Sequence, residues 1–139
     1  MTLNTTIYES ELRVRPDDID MFQHVHSAKY IDYVLAARYD QMNRCYGNPM
    51  SEYVEKGLGW VVSSCTINFK RALRLDDTMI VRTNLEELRT NGVRVNFSIL
   101  NKQTGKLCSD GHFEYILINI ASGRSESIPA WVLEKYTLQ

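Results

Sequence analysis

The chain opens on a period of two. Tyr8, Leu12 and Val14 share one parity with Ser10 between them, and Glu9, Glu11, Arg13 and Arg15 hold the other. That alternation predicts a strand with one wet face. Pro16 ends it and Asp17-Asp18 opens a loop. Over residues 28–46 the rhythm lengthens. Ile31, Val34, Leu35, Met42 and Cys45 fall on a helical stripe with Arg38 and Tyr39 between them. Ser27 is the candidate N-cap and Gly47-Asn48-Pro49 the stop. Such a helix spans about 28 Å. It is the one long helix the pattern predicts. Downstream the pattern reads as strand over residues 60–69, where Val61, Cys65, Ile67 and Phe69 share a parity, and again, less regularly, over 78–88. Asn91-Gly92 predicts a two-residue hairpin turn. After it Val93, Val95, Phe97 and Ile99 alternate with Arg94, Asn96 and Ser98. A polar turn containing Gly105 leads into a last strand over 107–120, where Gly111 predicts a bend or bulge.

Strand, long helix, then about four antiparallel strands is an α+β order. A helix with one apolar stripe must bury it, and a single curled sheet can wrap it. One layer of sheet on one helix leaves an outer face or edge available, so a homo-oligomer is expected. The chain has 139 residues, which fits a single domain over 1–139 burying roughly 70% of its unfolded surface.

Charge removes some functions. Sixteen Lys and Arg stand against 17 Asp and Glu, for a formal net charge of −1, so no strong basic field for nucleic acid is present. The longest unbroken apolar run, Tyr33 to Ala37, stops at Arg38, far short of the roughly 20 residues of a membrane span. Residues 1–10 lack a basic start leading into an apolar stretch, so no secretory signal is expected. Cys45, Cys65 and Cys108 are odd in number and lack a Cys-x-x-Cys spacing. They are expected to be buried, inert thiols of a reducing cytoplasm. No glycine-rich phosphate loop is present.

Chemistry concentrates over residues 17–30, where Asp17, Asp18, Asp20, His24 and His26 lie in the loop that delivers the chain into the helix. A helix start carries free amides and partial positive charge, which suit a developing oxyanion. A carboxylate beside it can attack a carbonyl or activate water. The residues alone leave alternatives open. Asp17 and Asp18 fit turn residues after Pro16. Asp20 fits a loop acid bonded to backbone amides, or one ligand of a metal shared with His24 and His26. His24 equally fits a buried, hydrogen-bonded histidine that fixes the loop. No nucleophile elbow surrounds Ser27, and capping accounts for it.

The run Asp20-Met21-Phe22-Gln23-His24-Val25-His26-Ser27-Ala28-Lys29-Tyr30, followed by residues 31–38, resembles the signature of hotdog-fold thioesterases of the 4-hydroxybenzoyl-CoA thioesterase type. There an Asp is followed four residues later by His-Val, usually Asn-Asn, and a Tyr inside the helix. The Gln-His-Val version with Arg38 looks most like the long-chain acyl-CoA thioesterase branch. A second patch, Ile67-Asn68-Phe69-Lys70-Arg71-Ala72 through Leu75-Asp76-Asp77, is similar to the family's Tyr-Arg-Arg-Pro strand and the turn after it. His26-Ser27 stand where Asn-Asn is usual, and Ala72 where Pro is usual.

The resemblance implies a five-stranded antiparallel sheet wrapped around one long central helix, in subunits that pair as homodimers or homotetramers with acyl sites at the subunit interface. It implies hydrolysis of an acyl-CoA, or of an acyl-carrier-protein thioester, with no cofactor beyond the coenzyme A of the substrate. The family's catalytic carboxylate falls on Asp20, and its helix-start amide falls near Ser27. His24 is expected to orient the loop or hold water. Lys70, Arg71, Arg74, Arg89 and Arg94 are candidates for the phosphates of coenzyme A. An acyl tunnel between helix and sheet is expected to be lined by residues such as Phe22, Tyr30 and Val34. The alternatives are a hotdog enoyl-CoA hydratase or dehydratase, a branch that spaces its Asp and His one residue wider than Asp20 and His24, and a non-catalytic acyl-binding domain.

Overall fold

The computed structural model describes residues 2–138. Five long strands build one antiparallel sheet: β2 (Tyr8–Arg13), β3 (Leu58–Phe69), β4 (Thr78–Leu88), β5 (Gly92–Asn101) and β6 (Leu107–Asn119), in the order β2-β4-β5-β6-β3. A short pair, β1 (Thr2–Leu3) with β7 (Thr137–Leu138), ties the two ends of the described chain together. The helix α1 (Lys29–Gln41) continues without a break as a π-helical turn, Met42–Tyr46. Gly47 closes it at φ +69°, a left-handed conformation that glycine adopts without a Cβ penalty.

Alternation along the strands supplies the core. Met79, Val81 and Leu85 of β4, Val93, Val95, Phe97 and Ile99 of β5, and Phe113 and Leu117 of β6 are buried, as are Tyr30, Tyr33, Val34 and Ala37 of α1. A polar knot sits inside this layer. The buried Gln41 amide donates to the Ser10 hydroxyl at 3.0 Å, and Thr83 Oγ1 donates to Gln41 Oε1. Ser10 in turn donates to Asp40 at 2.6 Å. Each buried polar atom in this group has a partner, so the knot fixes how α1 lies on the sheet.

Several expectations are corrected. The helix stripe is wider than expected. Val34 and Met42 are buried and Ile31 and Cys45 pack against the core, but Tyr30, Tyr33, Arg38 and Gln41 are buried too, whereas Leu35 and Tyr39 are exposed, Tyr39 at 61%. On β3 the apolar parity is only partly covered. Ile67 packs half-buried against the core and the Phe69 ring lies 5.2 Å from that of Tyr30, but Val61 and Cys65 are exposed, so Cys65 is not a buried thiol, and β3 is an edge strand with one side unpaired. Leu88 pairs with Val93, and neither Asn91 nor Gly92 takes the positive φ that a two-residue turn demands. Gly92 is needed for a different reason: a Cβ there would lie 2.6 Å from the Tyr115 carbonyl oxygen. No bulge falls at Gly111. It pairs in register with Ile67, and a Cβ would collide with the Thr66 carbonyl.

Two short helices were not anticipated, α2 (Met50–Glu55) and α3 (Ala130–Tyr136). They are too short to show a 3.6-residue rhythm, and tertiary packing holds them. The Tyr53 and Trp131 rings lie 4.8 Å apart, and the Lys56 ammonium sits 3.9 Å above the Trp131 ring.

Candidate active site

The site forms where the chain leaving β2 meets the first turn of α1. Pro16–Asp18 is a 3₁₀ turn that carries Asp18 inward. Asp18 is buried and accepts a hydrogen bond from the Tyr33 hydroxyl at 2.7 Å. Its carbonyl accepts from the His26 amide at 2.9 Å. The first bond straps the loop to α1, and the second closes the loop on itself from Asp18 to His26. Burial first, and the Asp18 carboxylate second, push the Tyr33 phenol well above its ordinary range, so its proton stays on the strap.

Within this closed loop lies a tight turn over residues 20–24. The Asp20 amide donates to the His24 carbonyl at 2.8 Å, and the Gln23 amide donates to the Asp20 carbonyl at 2.9 Å. Gln23 sits at φ +62° to close it. The next residue, Val25, donates its amide to the Leu73 carbonyl at 2.8 Å, which stitches the loop to the β3–β4 connection.

This turn prepares Asp20. Its Oδ1 accepts from the amides of Phe22 at 2.8 Å and His24 at 3.2 Å. Partial desolvation pushes the carboxyl up, but these two amides, with His24 and His26 nearby, outweigh it and hold Asp20 below the ordinary aspartate range. The acid is therefore ionised at neutral pH. Among the described residues Oδ2 receives no hydrogen bond, which leaves it as the oxygen able to react.

Asp20, His24 and Ser27 all line one cavity of about 280 Å³, with Tyr30, Phe69, Lys70 and Arg71 among its other walls. Ser27 does not cap the helix. The N-cap position is Ala28, no side chain caps it, and the Ser27 carbonyl accepts from the Tyr30 amide at 3.3 Å. One consequence is chemical. The Ser27 and Ala28 amides donate to no acceptor among the described residues, so two N–H groups at the positive end of α1 are open. An ionised carboxylate and open amides at one cavity are the parts needed to add a nucleophile to a carbonyl and hold the oxyanion.

Other expected residues separate. His26 is exposed and does not line the cavity. Among the described residues no three His, Cys, Asp or Glu groups are arranged to hold a metal ion. Phe22 is 72% exposed and Val34 wholly buried, so of the three residues expected to line an acyl tunnel only Tyr30 reaches the cavity. The five candidate cations also divide. Arg89 and Arg94 are held by Glu114, at 2.8 and 2.5 Å. Lys70 and Arg71 line the Asp20 cavity, and Arg71 is shared with a neighbouring cavity of about 370 Å³ that adds Arg74 and Lys106. Sequence reasoning missed Lys106, which sits in an ordinary polar turn, and the strap from Asp18 to Tyr33, whose partners are 15 residues apart.

The fold and this site define a thioester hydrolase. The family model of the Thioesterase-like superfamily matches residues 14–136, and the chain belongs to that superfamily. It is similar to the long-chain acyl-CoA thioesterase FadM of Escherichia coli K12, 20% identical over 91% of this chain and 95% of the relative. The acyl-CoA thioester hydrolase YbgC of Escherichia coli O6:H1 is 19% identical over 96% and 98%. Among solved structures, a DHNA-CoA thioesterase from Staphylococcus aureus superposes with a TM-score of 0.87 at 20% identity, covering 94% of this chain and 88% of that one. A hypothetical protein from Aquifex aeolicus gives 0.86 at 25% identity, covering 94% and 99%. The architecture is the hotdog thioesterase fold.

Proposed function

We propose that the protein hydrolyses acyl-CoA thioesters to the free acid and coenzyme A thiol, as one hotdog domain with the α1–π segment as its central helix. The observation that carries this reading is the ionised Asp20 carboxylate and Ser27 at a single cavity, with the open Ser27 and Ala28 amides at the start of α1. The thioester carbonyl oxygen lies against those amides. Asp20 Oδ2 then adds to the carbonyl carbon and expels the thiolate, and water cleaves the resulting anhydride. Alternatively Oδ2 takes a proton from water as the water adds. Both routes consume one water and yield one acid and one thiol. His24 orients the turn through the amide it donates to Asp20. The phosphates of coenzyme A lie along Lys70, Arg71, Arg74 and Lys106. Acyl-carrier-protein thioesters are a second substrate class.

A second copy of the chain completes the enzyme. The unpaired edge of β3 runs for 12 residues with Val61, Val62 and Phe69 exposed beside it, and a long apolar edge is a surface that pairs. A homodimer or homotetramer is the expected state, read by light scattering on the eluting protein.

The decisive experiment is release of free thiol from a panel of acyl-CoAs by the wild type and Asp20→Asn. Substitution should keep the fold and lower turnover by on the order of 10²–10⁴-fold. Unchanged turnover would exclude Asp20 from both routes. Acyl-CoA bound without thiol release would instead mean a binding domain, and hydration of an enoyl-CoA a hydratase.

A further inference from the structure

About two turns further along α1 another cavity of about 320 Å³ opens, and hydrolysis as described makes no use of it. Its walls are apolar: Leu35, Met42, Met50, Trp60, Val62 and the ring of Tyr39. At its lining lies Arg38, eight residues and about 12 Å of helix rise beyond Tyr30. Arg38 is only 5% exposed. Among the described residues its buried Nη1 has no hydrogen-bond partner, and no carboxylate lies in ion-pair range of it. The guanidinium carbon sits 5.3 Å from the centre of the Tyr46 ring.

The hydroxyls of Tyr46 and Tyr115 lie beside the same guanidinium and are likewise buried, with no well-formed hydrogen bond among the described residues. Burial pushes both phenols up to about 12 against the pull of the Arg38 charge, so each keeps a proton to donate. A buried cation with no counter-ion is among the costlier arrangements a fold can contain. Of these groups Arg38 and Tyr115 line the cavity, and two such donors beside one positive charge are complementary to a monoanion with more than one acceptor oxygen. The rest of the wall is complementary to hydrocarbon, and the volume is at the small end for ligand pockets.

We propose that this cavity is a further ligand site, for a molecule with a hydrocarbon body and a single carboxylate that is received by Arg38 and Tyr115. That chemistry has two sources: a free fatty acid, such as thioester hydrolysis releases, or a terminal carboxylate on the far end of an acyl chain.

The test titrates the full chain with sodium decanoate and with 1-decanol by calorimetry, which requires no turnover. Wild type and Asp20→Asn should bind decanoate roughly tenfold or more tighter than decanol, and Arg38→Met should lose that preference. Equal affinity for acid and alcohol in the wild type, or a preference that survives Arg38→Met, would overturn the proposal. Should Arg38→Met fail to fold, Tyr115→Phe, which removes one donor and keeps the ring, should narrow the preference for decanoate over decanol with Arg38 intact, and an unchanged preference there also overturns the proposal. The source is read from kcat/KM for decanoyl-CoA and for its analogue with a terminal carboxylate. A selective loss on the carboxylated substrate in Arg38→Met assigns the site to the substrate's own end. No change, with free decanoate bound, assigns it to the free acid.

Discussion

The two ends of α1 hold opposite charges in opposite conditions. At the N-terminal end Asp20 is ionised, half-exposed and bonded by two backbone amides, in a cavity with cations on its rim. Eighteen positions later Arg38 is buried among aromatic rings, with Nη1 unpaired, in a cavity with almost no other charge. A charge whose needs the backbone meets on one oxygen keeps the other oxygen available for chemistry without destabilising the loop. A charge whose needs the protein leaves unmet is completed only by something that enters. On the two proposals the same helix carries a site that reacts and a site that binds.

The largest effects in this comparison belong to the reacting end, and pH separates its two polar side chains. Asp20 is held below the ordinary aspartate range by its amide donors. Its anion is therefore fully formed above that range and is lost only as pH falls through the lowered value. The acid limb of kcat/KM should accordingly lie below about pH 4, and His24→Ala should slow turnover on the order of tenfold, less than Asp20→Asn. An acid limb near pH 6.5, removed in His24→Ala, would transfer the role of base to the histidine.

The next effect is on the strap that joins the reacting end to the helix. Tyr33→Phe removes the 2.7 Å bond to Asp18 and leaves a buried carboxylate oxygen without its donor. The expected loss is about 1–3 kcal/mol of unfolding free energy by urea titration. Activity should fall with it, because the same loop positions Asp20. Wild-type stability in Tyr33→Phe would show that Lys29, 3.7 Å from the other Asp18 oxygen, suffices to hold the loop.

These two ends were not equally legible in the sequence. The reacting end was, because local rules govern it: a turn after Pro16, an acid four residues before His24, and a helix start. Even there the capping residue was misplaced by one. Whether Ser27 or Ala28 holds the N-cap depends on how the loop docks on Leu73, a contact across more than 40 residues. The strands were legible for the same reason, since period two survives in any context that buries one face. What failed needed knowledge of neighbours. The apolar parity of β3 has the pattern of a core strand yet is only partly covered: Ile67 and the Phe69 ring reach the core layer, whereas Val61 and Cys65 lie exposed on the edge strand, and strand order is not written in any one strand. Arg38 reads as a gap in an apolar stripe. Its burial follows from Tyr46, Tyr115 and Tyr136 converging from the π turn, β6 and α3, and α3 was itself too short to be seen.

The smallest effects concern the cations on the rim, where paired and unpaired charges stand side by side for comparison. Arg94 is bound to Glu114 at 2.5 Å, and that carboxyl is pushed up by burial but pulled lower overall by Arg94 and Arg89. Its charge is already spent within the protein. Arg71 makes no ion pair among the described residues and borders both the Asp20 cavity and the one beside it. Exposed ionic contacts are worth about 0.2–1 kcal/mol, which corresponds to a change of at most about fivefold. Arg71→Ala should therefore raise KM for an acyl-CoA two- to fivefold with kcat unchanged, and added salt should shrink the difference. For a pantetheine thioester that lacks the nucleotide, the same substitution should leave KM alone. Arg94→Ala should leave KM unchanged for both substrates and cost stability instead. Equal effects of the two substitutions on KM would mean that the coenzyme crosses the outer face of the sheet, and the assignment of the phosphates to the β3–β4 connection would have to be abandoned.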